Sequence, residues 1–384
     1  MEIATHSPMK PRSWHYGISL LLALALAPVL RSQRLPLRFD WITLGIAYWF
    51  FLAAQSIFAA ALLCLIGLPR KLVWEPFLTR YRENPLRIVA LLFFFAVLAW
   101  TTTVVKALVL TVDTVALLEL RDRQEVQGVR HAAAAVLAPA AYLFFGFLMV
   151  LAYNCAIVSA RFNFATDPAL AAMDQWLLHG HSVSGLTHWA LQSFPISCFR
   201  ALEFIYFGMF PQIGAAIILV ALFDGKTRAL QFVGTILMSY YLALAIFYIW
   251  PAQGPYYLCP AHFSRFPASL QSYTIQKTLI PHALALWRHE PTSRISTDYF
   301  IAFPCMHIVQ PLIVMWFLRR WTRMVIALAA YDLLLVAAVL LLEMHYVIDI
   351  IAGVLLAALV IAIGGGPFHI RETATKPAST GTSG

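Results

Sequence analysis

Long runs of apolar residues, separated by short polar connections, make up most of the chain. Most runs are about 17–25 residues long, which matches a helix that crosses the hydrocarbon core of a bilayer. None shows the alternation of apolar and polar positions that is typical of a membrane β-strand. We therefore predict helical spans, weakly at residues 16–30 and strongly at 41–68, 88–112, 132–160, 198–223, 229–250, 300–318, 324–342 and 347–363.

The composition agrees with a membrane protein. Hydrophobic residues make up 61% of the chain and charged residues 12%, whereas soluble domains contain roughly 45–50% apolar and about 25% charged residues. A water-soluble core cannot enclose so large a share of apolar surface, but helices that satisfy their own backbone hydrogen bonds are stable in hydrocarbon. The predicted fold class is an all-α, polytopic membrane helix bundle with about 8–9 transmembrane helices.

The charge distribution predicts the topology of the second half of the chain. The formal net charge is +9, and the basic residues lie mainly in short connections, as the positive-inside rule requires and unlike the clustered basic face of a nucleic-acid-binding protein. The basic turns 224–228 and 319–323 are therefore predicted to be cytoplasmic. The connections 162–196 and 251–299 then lie on the opposite side, together with the region of His345. A basic loop in the first half conflicts with this parity, so the orientation of the N-terminal spans stays open.

Three segments outside the spans have recognisable character. Apolar residues in the connection 162–196 are spaced for a helix lying in the headgroup region. The loop 251–299 is polar and contains several Pro and Tyr residues, which predicts a folded cap. Residues 364–384 are rich in Thr, Ser, Pro and Gly and are predicted to be a disordered tail.

The five cysteines are scattered without a CxxC pair, which predicts neither a zinc site nor a disulfide framework.

Two histidines are predicted to meet at one membrane surface. His307 and His345 each lie at the start of a predicted span, and the chain between them crosses the membrane to the basic turn 319–323 and returns. Asp349 follows His345 by four residues and would share a helix face with it. A carboxylate bonded to one imidazole nitrogen leaves the other free to act as a nucleophile. A His–Asp pair with this spacing can also merely stabilise the end of a helix, so the catalytic and the structural interpretation both stay open.

Two motifs carry a resemblance to a known family. The PSxH motif of the type 2 phosphatidic acid phosphatase superfamily resembles the sequence Phe-Pro-Cys-Met-His at residues 303–307, and its HYxxDxxxG motif resembles residues 345–353. The match is closest to the branch that contains the inositol phosphorylceramide synthases, whose Pro-rich element is similar to residues 250–255. The resemblance covers residues 162–363 and none of the earlier spans.

The resemblance implies a six-helix catalytic core at residues 161–363, preceded at 1–160 by transmembrane helices of no assigned role. It also implies that His345 attacks phosphorus to form a phosphohistidine, that Asp349 orients it, and that His307 protonates the leaving oxygen. No metal and no other cofactor is expected. Basic side chains and backbone N–H groups at a helix start can neutralise phosphoryl oxygens without one.

The sequence departs from the family pattern where phosphate is bound. Cys305 stands in place of the serine of PSxH, and Val339 stands where the wider superfamily has an arginine six residues before the histidine. The motif KxxxxxxRP is absent. The phosphate site is therefore predicted to combine Cys305 with basic side chains of the preceding loop, of which Arg294 is nearest in sequence: Arg294, Arg288 and Lys277.

The expected function is that of an integral membrane lipid phosphotransferase or lipid phosphatase, in the plasma (inner) membrane with its site on the non-cytoplasmic face. The substrate would be a membrane lipid phosphate or phospholipid. Water as acceptor makes the enzyme a phosphatase, and a polyol or sugar hydroxyl makes it a transferase. The alternative is a non-catalytic lipid-binding membrane protein or transporter whose histidines bind headgroups. No nucleic-acid partner is expected, and the oligomeric state stays open.

Overall fold

The computed structural model describes residues 126–161, 166–258 and 301–365, and single residues elsewhere: Leu21, Leu24, Val89, Leu270, Ser272, Lys277, Pro281, Ala285 and Arg288. The described residues form helices and connecting turns, and no β-strand occurs among them, which confirms the all-α prediction for this part of the chain. Numbered α1 to α10 in chain order, the helices are Val126–Arg161, Thr166–Leu177, Val183–Ser193, Ile196–Phe207, Met209–Asp224, Lys226–Ile249, Pro255–Leu258, Met306–Leu318, Thr322–Leu341 and Val347–Gly364.

Five segments of the described chain are long and apolar enough to cross a bilayer, and they identify an integral membrane protein. They lie within α1, across α4 and α5 together, and in α6, α9 and α10: Ala135–Ser159, Ile196–Asp224, Lys226–Ile249, Thr322–Leu341 and Val347–Gly364. Of the spans predicted at 16–30, 41–68 and 88–112, the structure describes only Leu21, Leu24 and Val89, so none of the three is tested. The total of about 8–9 helices therefore stays a prediction.

Helix α8 is shorter than the span predicted at 300–318. It begins at Met306 and has 13 residues, which give a length of about 20 Å against a hydrocarbon thickness of about 30 Å. Pro304 disfavours the helical conformation at the residue before it, and Cys305 at the N-cap is extended, with φ −69° and ψ 104°. The late start places His307 in the first turn of α8.

The apolar run at 198–223 contains a break between two helices. Helix α4 ends at Phe207 and α5 begins at Met209. Pro211 explains the position of the break, because it has no N–H to donate and its ring clashes with the carbonyl four residues earlier, at Phe207. A side chain on Gly208, between the helices, would overlap the hydroxyl of Tyr331.

The connection predicted as one interfacial helix forms two. Helices α2 and α3 are separated by a turn in which His179 has a φ of 53° and Gly180 a φ of 92°. Helix α2 is amphipathic: Trp176 is 80% exposed, whereas Asp167 and Asp174 are buried. The position of α2 in the headgroup region stays a prediction, and its buried face carries carboxylates as well as apolar side chains.

Helix α8 lies at the centre of the bundle, where it packs against α5, α6, α9 and α10, and α1 covers α5 and α6 from outside. Arg320 forms an ion pair with Asp224, and Arg228 donates to the carbonyl of Gly365 over 2.8 Å. The two basic turns therefore meet at the same end of the bundle as the end of α10. The starts of α8 and α10 lie at the opposite end.

Two acidic residues inside the bundle have hydrogen-bond partners. Asp332 accepts from the side-chain amide of Gln212 over 2.8 Å, as expected for a structural role. Glu203 accepts from both the N–H and the hydroxyl of Ser272, over 2.5 and 2.6 Å. Each acid therefore has its own polar partner, Gln212 for Asp332 and Ser272 for Glu203.

Candidate active site

The starts of α8 and α10 are joined by backbone hydrogen bonds. The N–H of Cys305, at the N-cap of α8, donates to the carbonyl of Asp349 in α10 over 3.0 Å. The N–H of Ala302, just before α8, donates over 3.2 Å to the carbonyl of Ala252 in the turn that follows α6. Three distant parts of the chain therefore converge at this end of the bundle, and both sequence motifs lie there.

Gly353 explains how closely the two helices approach each other. A Cβ atom at this position would lie 2.7 Å from the carbonyl oxygen of Cys305, which is closer than van der Waals contact permits. Only glycine leaves room for α10 to pack directly on the start of α8. The glycine of the HYxxDxxxG-like motif therefore sets the separation of the two histidine-bearing helix starts.

The imidazoles of His307 and His345 are in direct contact. Nδ1 of His307 lies 3.3 Å from Nε2 of His345, and His345 is almost completely buried. The ring of Tyr206, from α4, stacks on the ring of His307 with 4.2 Å between centroids. The structure thus brings the two predicted histidines together, at hydrogen-bond distance and with no gap the width of a phosphate between them.

The hydrogen bonds of His345 define where its lone pair points. Nδ1 of His345 lies 2.9 Å from the carbonyl oxygen of Ala302, and a carbonyl can only accept, so Nδ1 carries the proton. In a neutral ring Nε2 is then the acceptor and faces His307, whose Nδ1 carries the shared proton. Nε2 of His307 is buried and has no hydrogen-bond partner among the described residues.

Asp349 lies beside His345, but it is not the closest partner of the imidazole. Its Oδ2 is 3.4 Å from Nδ1 of His345 and accepts a shorter bond of 2.8 Å from the N–H of Tyr346. Its Oδ1 is buried without a hydrogen-bond partner within the described chain. The Ala302 carbonyl and the Asp349 carboxylate therefore both orient the His345 ring. The sequence pointed to the carboxylate and missed the carbonyl, which no side-chain pattern reveals.

Two aspartates of α2 hold the surrounding backbone, and sequence reasoning gave them no role. Asp174 accepts from the N–H groups of Val347 and Ile348 over 2.8 and 2.9 Å, at the very start of α10. Asp167 accepts from the N–H groups of Gln253 and Gly254, the latter over 2.8 Å. Their spacing of seven residues puts both on one face of α2. The sequence pattern that could have indicated this role is the presence of two acidic residues on the inner face of an amphipathic helix.

Three carboxyl groups at this end of the bundle have raised pKa values. Burial raises the pKa of Asp167 to about 7, against the opposing effect of the N–H groups of Gln253 and Gly254. Burial also raises the pKa of Asp174. Glu343, two residues before His345, is buried, and its pKa is raised to about 7 by the same cause. Acidic groups therefore surround this end of the bundle, and each prefers its neutral form more than an exposed carboxylate does.

The predicted phosphate ligands are only partly described. Cys305 is buried beside the two histidines, and Val339 contributes its carbonyl, which accepts from the N–H of His345 over 3.2 Å. Lys277 and Arg288 have exposed side chains, and Arg294 lies outside the described residues. The N–H groups at the start of α10 are already bonded to Asp174 and Asp349, so they do not offer the free donors expected at a helix start.

Cys305 and the two histidines form a compact group of potential metal ligands. Its Sγ atom and one nitrogen of each imidazole all lie within 4.8 Å of one another. The cysteine spacing in the sequence predicted no zinc site. Fold proximity creates this group, because His345 comes from a different helix start than Cys305 and His307.

Comparison with known families agrees with this geometry. A family model described as the PAP2 superfamily matches residues 168–363, which is more than half of the 384 residues. The chain belongs to the PAP2 superfamily, a group of membrane phosphatases and phosphotransferases. The match contains α10 and α8 with both histidines. No curated protein and no solved structure gives a significant match to the chain.

Proposed function

We propose that the chain removes or transfers the phosphate group of a membrane lipid phosphate, or of a phospholipid, through a phosphohistidine at His345. The observation that carries the proposal is the 3.3 Å contact between Nδ1 of His307 and Nε2 of His345. Because Nδ1 of His345 is bonded to the Ala302 carbonyl over 2.9 Å, the lone pair of Nε2 is available for attack. A second imidazole at that lone pair is suited to acid–base catalysis.

The first step forms a nitrogen–phosphorus bond. The direct ring contact leaves no space for phosphorus, so the two imidazoles separate when the lipid phosphate enters between them. Nε2 of His345 then attacks phosphorus, and the bond from phosphorus to the leaving oxygen breaks. His307 donates the proton that this oxygen needs, for which it first binds a second proton and becomes an imidazolium, a form that the negative phosphate favours. Asp349 and the Ala302 carbonyl keep the His345 ring oriented.

The second step releases the phosphoryl group. The hydroxyl of the acceptor attacks the phosphohistidine, His307 takes the hydroxyl proton, and the electron pair of the broken nitrogen–phosphorus bond returns to Nε2 of His345. Water as the acceptor gives hydrolysis, and a polyol or sugar hydroxyl gives transfer. Neither step uses a metal or cofactor. Cys305 and the loop cations Arg294, Arg288 and Lys277 are proposed to bind the phosphoryl oxygens.

Transfer to an alcohol, as in the inositol phosphorylceramide synthase-like branch, is the first reaction to test, because residues 250–255 resemble an element of that branch. We propose a six-helix catalytic core at residues 161–363, behind N-terminal spans that bring the total to about 8–9. The histidines lie at the end of the bundle opposite the arginines of the basic turns, which supports a site on the non-cytoplasmic face of the plasma (inner) membrane.

Trapping of a labelled phosphoryl group tests the proposal. The full chain in lipid nanodiscs is mixed with phosphatidic acid or phosphatidylinositol labelled at phosphorus and quenched in alkali, where phosphohistidine survives. We expect label on the wild type and none on His345→Gln. His307→Gln should retain slow labelling, because its ring assists the attack without accepting phosphorus. His181→Gln, in the exposed turn after α2, is the matched control and should label normally.

Two outcomes would contradict the proposal. Label that persists in His345→Gln would remove the assigned nucleophile. Binding of both lipids without labelling or turnover in the wild type would instead favour the lipid-binding or transport alternative, in which the histidines contact headgroups without chemistry.

A further inference from the structure

We propose that Cys305, His307 and His345 form a binding site for a thiophilic divalent cation of the zinc class, and that the bound ion excludes phosphoryl chemistry. Sγ of Cys305 and one nitrogen of each imidazole lie within 4.8 Å of one another. A thiolate and two imidazoles are a ligand set that Zn²⁺ prefers, and a zinc ion with three protein ligands keeps a fourth position open. The ion would define an inactive state of an enzyme whose reaction needs no metal.

The distance between the two imidazoles already suits such an ion. With Zn–N bonds of about 2.0–2.1 Å, two nitrogens at neighbouring corners of a tetrahedron lie about 3.3–3.4 Å apart. Nδ1 of His307 and Nε2 of His345 are 3.3 Å apart. An ion between them therefore takes the place of the shared proton without moving the nitrogens. The proton passes to Nε2 of His307, so that this ring stays neutral. A phosphoryl group, by contrast, has to separate the rings.

The sulfur needs only a small adjustment. With a Zn–S bond of about 2.3 Å, sulfur and nitrogen at neighbouring corners lie about 3.6 Å apart, compared with the upper limit of 4.8 Å in the structure. Cys305 is completely buried beside the rings. Loss of the thiol proton on binding gives a complex with one net positive charge, in a region where Asp349 and Asp174 supply carboxylates.

The surroundings of His345 resemble those of a zinc-bound histidine. A metal-ligating imidazole usually donates its second N–H to a carbonyl or carboxylate, which fixes the ring and makes the ligating nitrogen more basic. His345 has both: the Ala302 carbonyl at 2.9 Å and Oδ2 of Asp349 at 3.4 Å from Nδ1. The same contacts prepare Nε2 as a nucleophile, so metal binding and phosphorylation compete for one lone pair.

Binding is tested with Cd²⁺, whose bond to a thiolate gives an ultraviolet charge-transfer band. The full chain in nanodiscs, freed of metal with a chelator, should bind one Cd²⁺ per chain with this band, and Zn²⁺ should displace it. Cys305→Ser and His307→Gln should lose the band. Cys198→Ser, an exposed cysteine on α4, should keep it. A band that survives Cys305→Ser, or binding without one-to-one stoichiometry, would overturn the site.

X-ray absorption on the zinc-loaded wild type keeps the test independent of variant folding. One sulfur at about 2.3 Å and two imidazole nitrogens at about 2.0–2.1 Å are expected, and a shell of nitrogen and oxygen alone would refute the assignment.

A last experiment rests on the proposed function: Zn²⁺ should abolish phosphoryl labelling of His345 in the same preparation. Labelling that persists at saturating Zn²⁺ would refute the exclusion, whereas failure to label without metal would refute the proposed function and leave the binding result intact.

Discussion

Asp174 offers the sharpest test of how helix α2 supports the candidate site. Its two carboxylate oxygens accept separate hydrogen bonds of 2.8 and 2.9 Å from the N–H groups of Val347 and Ile348. These residues begin α10 two positions after His345, so the carboxylate fixes the backbone next to the imidazole. Asp174→Asn keeps the size of the side chain but replaces one acceptor by an NH₂ group, which then faces an N–H donor.

The expected loss follows from the two hydrogen bonds. A hydrogen bond to a charged acceptor contributes about 1.5–3 kcal/mol, and a buried N–H left without an acceptor costs about 1–3 kcal/mol. Removing the negative charge from a helix start adds about 0.3–1 kcal/mol. One bond lost and one weakened give about 2–4 kcal/mol in total. If half of this free energy, about 1–2 kcal/mol, opposes the placement of His345, activity falls by about 5–30-fold, since about 1.4 kcal/mol corresponds to a factor of ten in rate.

Turnover of phosphatidic acid, normalised to folded protein, is measured together with the thermal midpoint of unfolding in nanodiscs. Gln175→Ala changes the neighbouring exposed side chain of the same helix and should leave both values unchanged. Asp174→Asn should reduce turnover at a temperature where the chain is still folded. Wild-type turnover and an unchanged midpoint in Asp174→Asn would refute the positioning role of α2.

Three further predictions concern stability and packing. Because burial raises the pKa of Asp167 to about 7, the folded chain binds a proton at this carboxyl group more tightly than the unfolded chain does. The contribution of Asp167 to stability should therefore fall by about 2–3 kcal/mol from pH 5 to pH 8. Asp167→Asn should flatten the pH dependence of the thermal midpoint, and an unchanged slope would contradict the raised pKa. Gly353→Ala should lower turnover by about tenfold or more, because the new methyl would lie 2.7 Å from the Cys305 carbonyl and overpacking costs about 1–3 kcal/mol; equal turnover would show that the helix starts separate freely. Gln212→Leu should destabilise the bundle by about 0.6–2 kcal/mol in denaturant titrations, because it removes the partner of Asp332 inside the membrane; an unchanged midpoint would refute this pair.

The pairing of the histidines was predictable because bilayer thickness restricts the possible folds. Apolar runs of fixed length and basic turns on one side leave few choices of topology, so His307 and His345 had to reach the same end. The structure agrees on this point. It differs at the start of α8, where Pro304 moves the first helical residue to Met306, a local effect that hydrophobicity alone does not report.

The supporting contacts were not predictable, because they join residues that are far apart in sequence. Asp174 is 173 residues from Val347, from whose N–H it accepts a hydrogen bond. Nothing in the sequence of either segment indicates that the two are in contact. The carbonyl of Ala302 is a backbone group and leaves no trace in the side-chain pattern. The grouping of Cys305 with the histidines likewise depends on the close packing of α8 on α10. Sequence patterns therefore predicted the candidate reactive side chains, whereas the contacts that orient them required the fold.

The most direct test of the central claim is to identify the atom that carries the phosphoryl group. Wild-type chain is labelled from a lipid phosphate, digested in alkali, and the phosphohistidine isomer is assigned by mass spectrometry against the two synthetic standards. The bond of His345 Nδ1 to the Ala302 carbonyl predicts phosphorus on Nε2 of His345. Phosphorus on Nδ1 of His345, on His307 or on Cys305 would contradict the account.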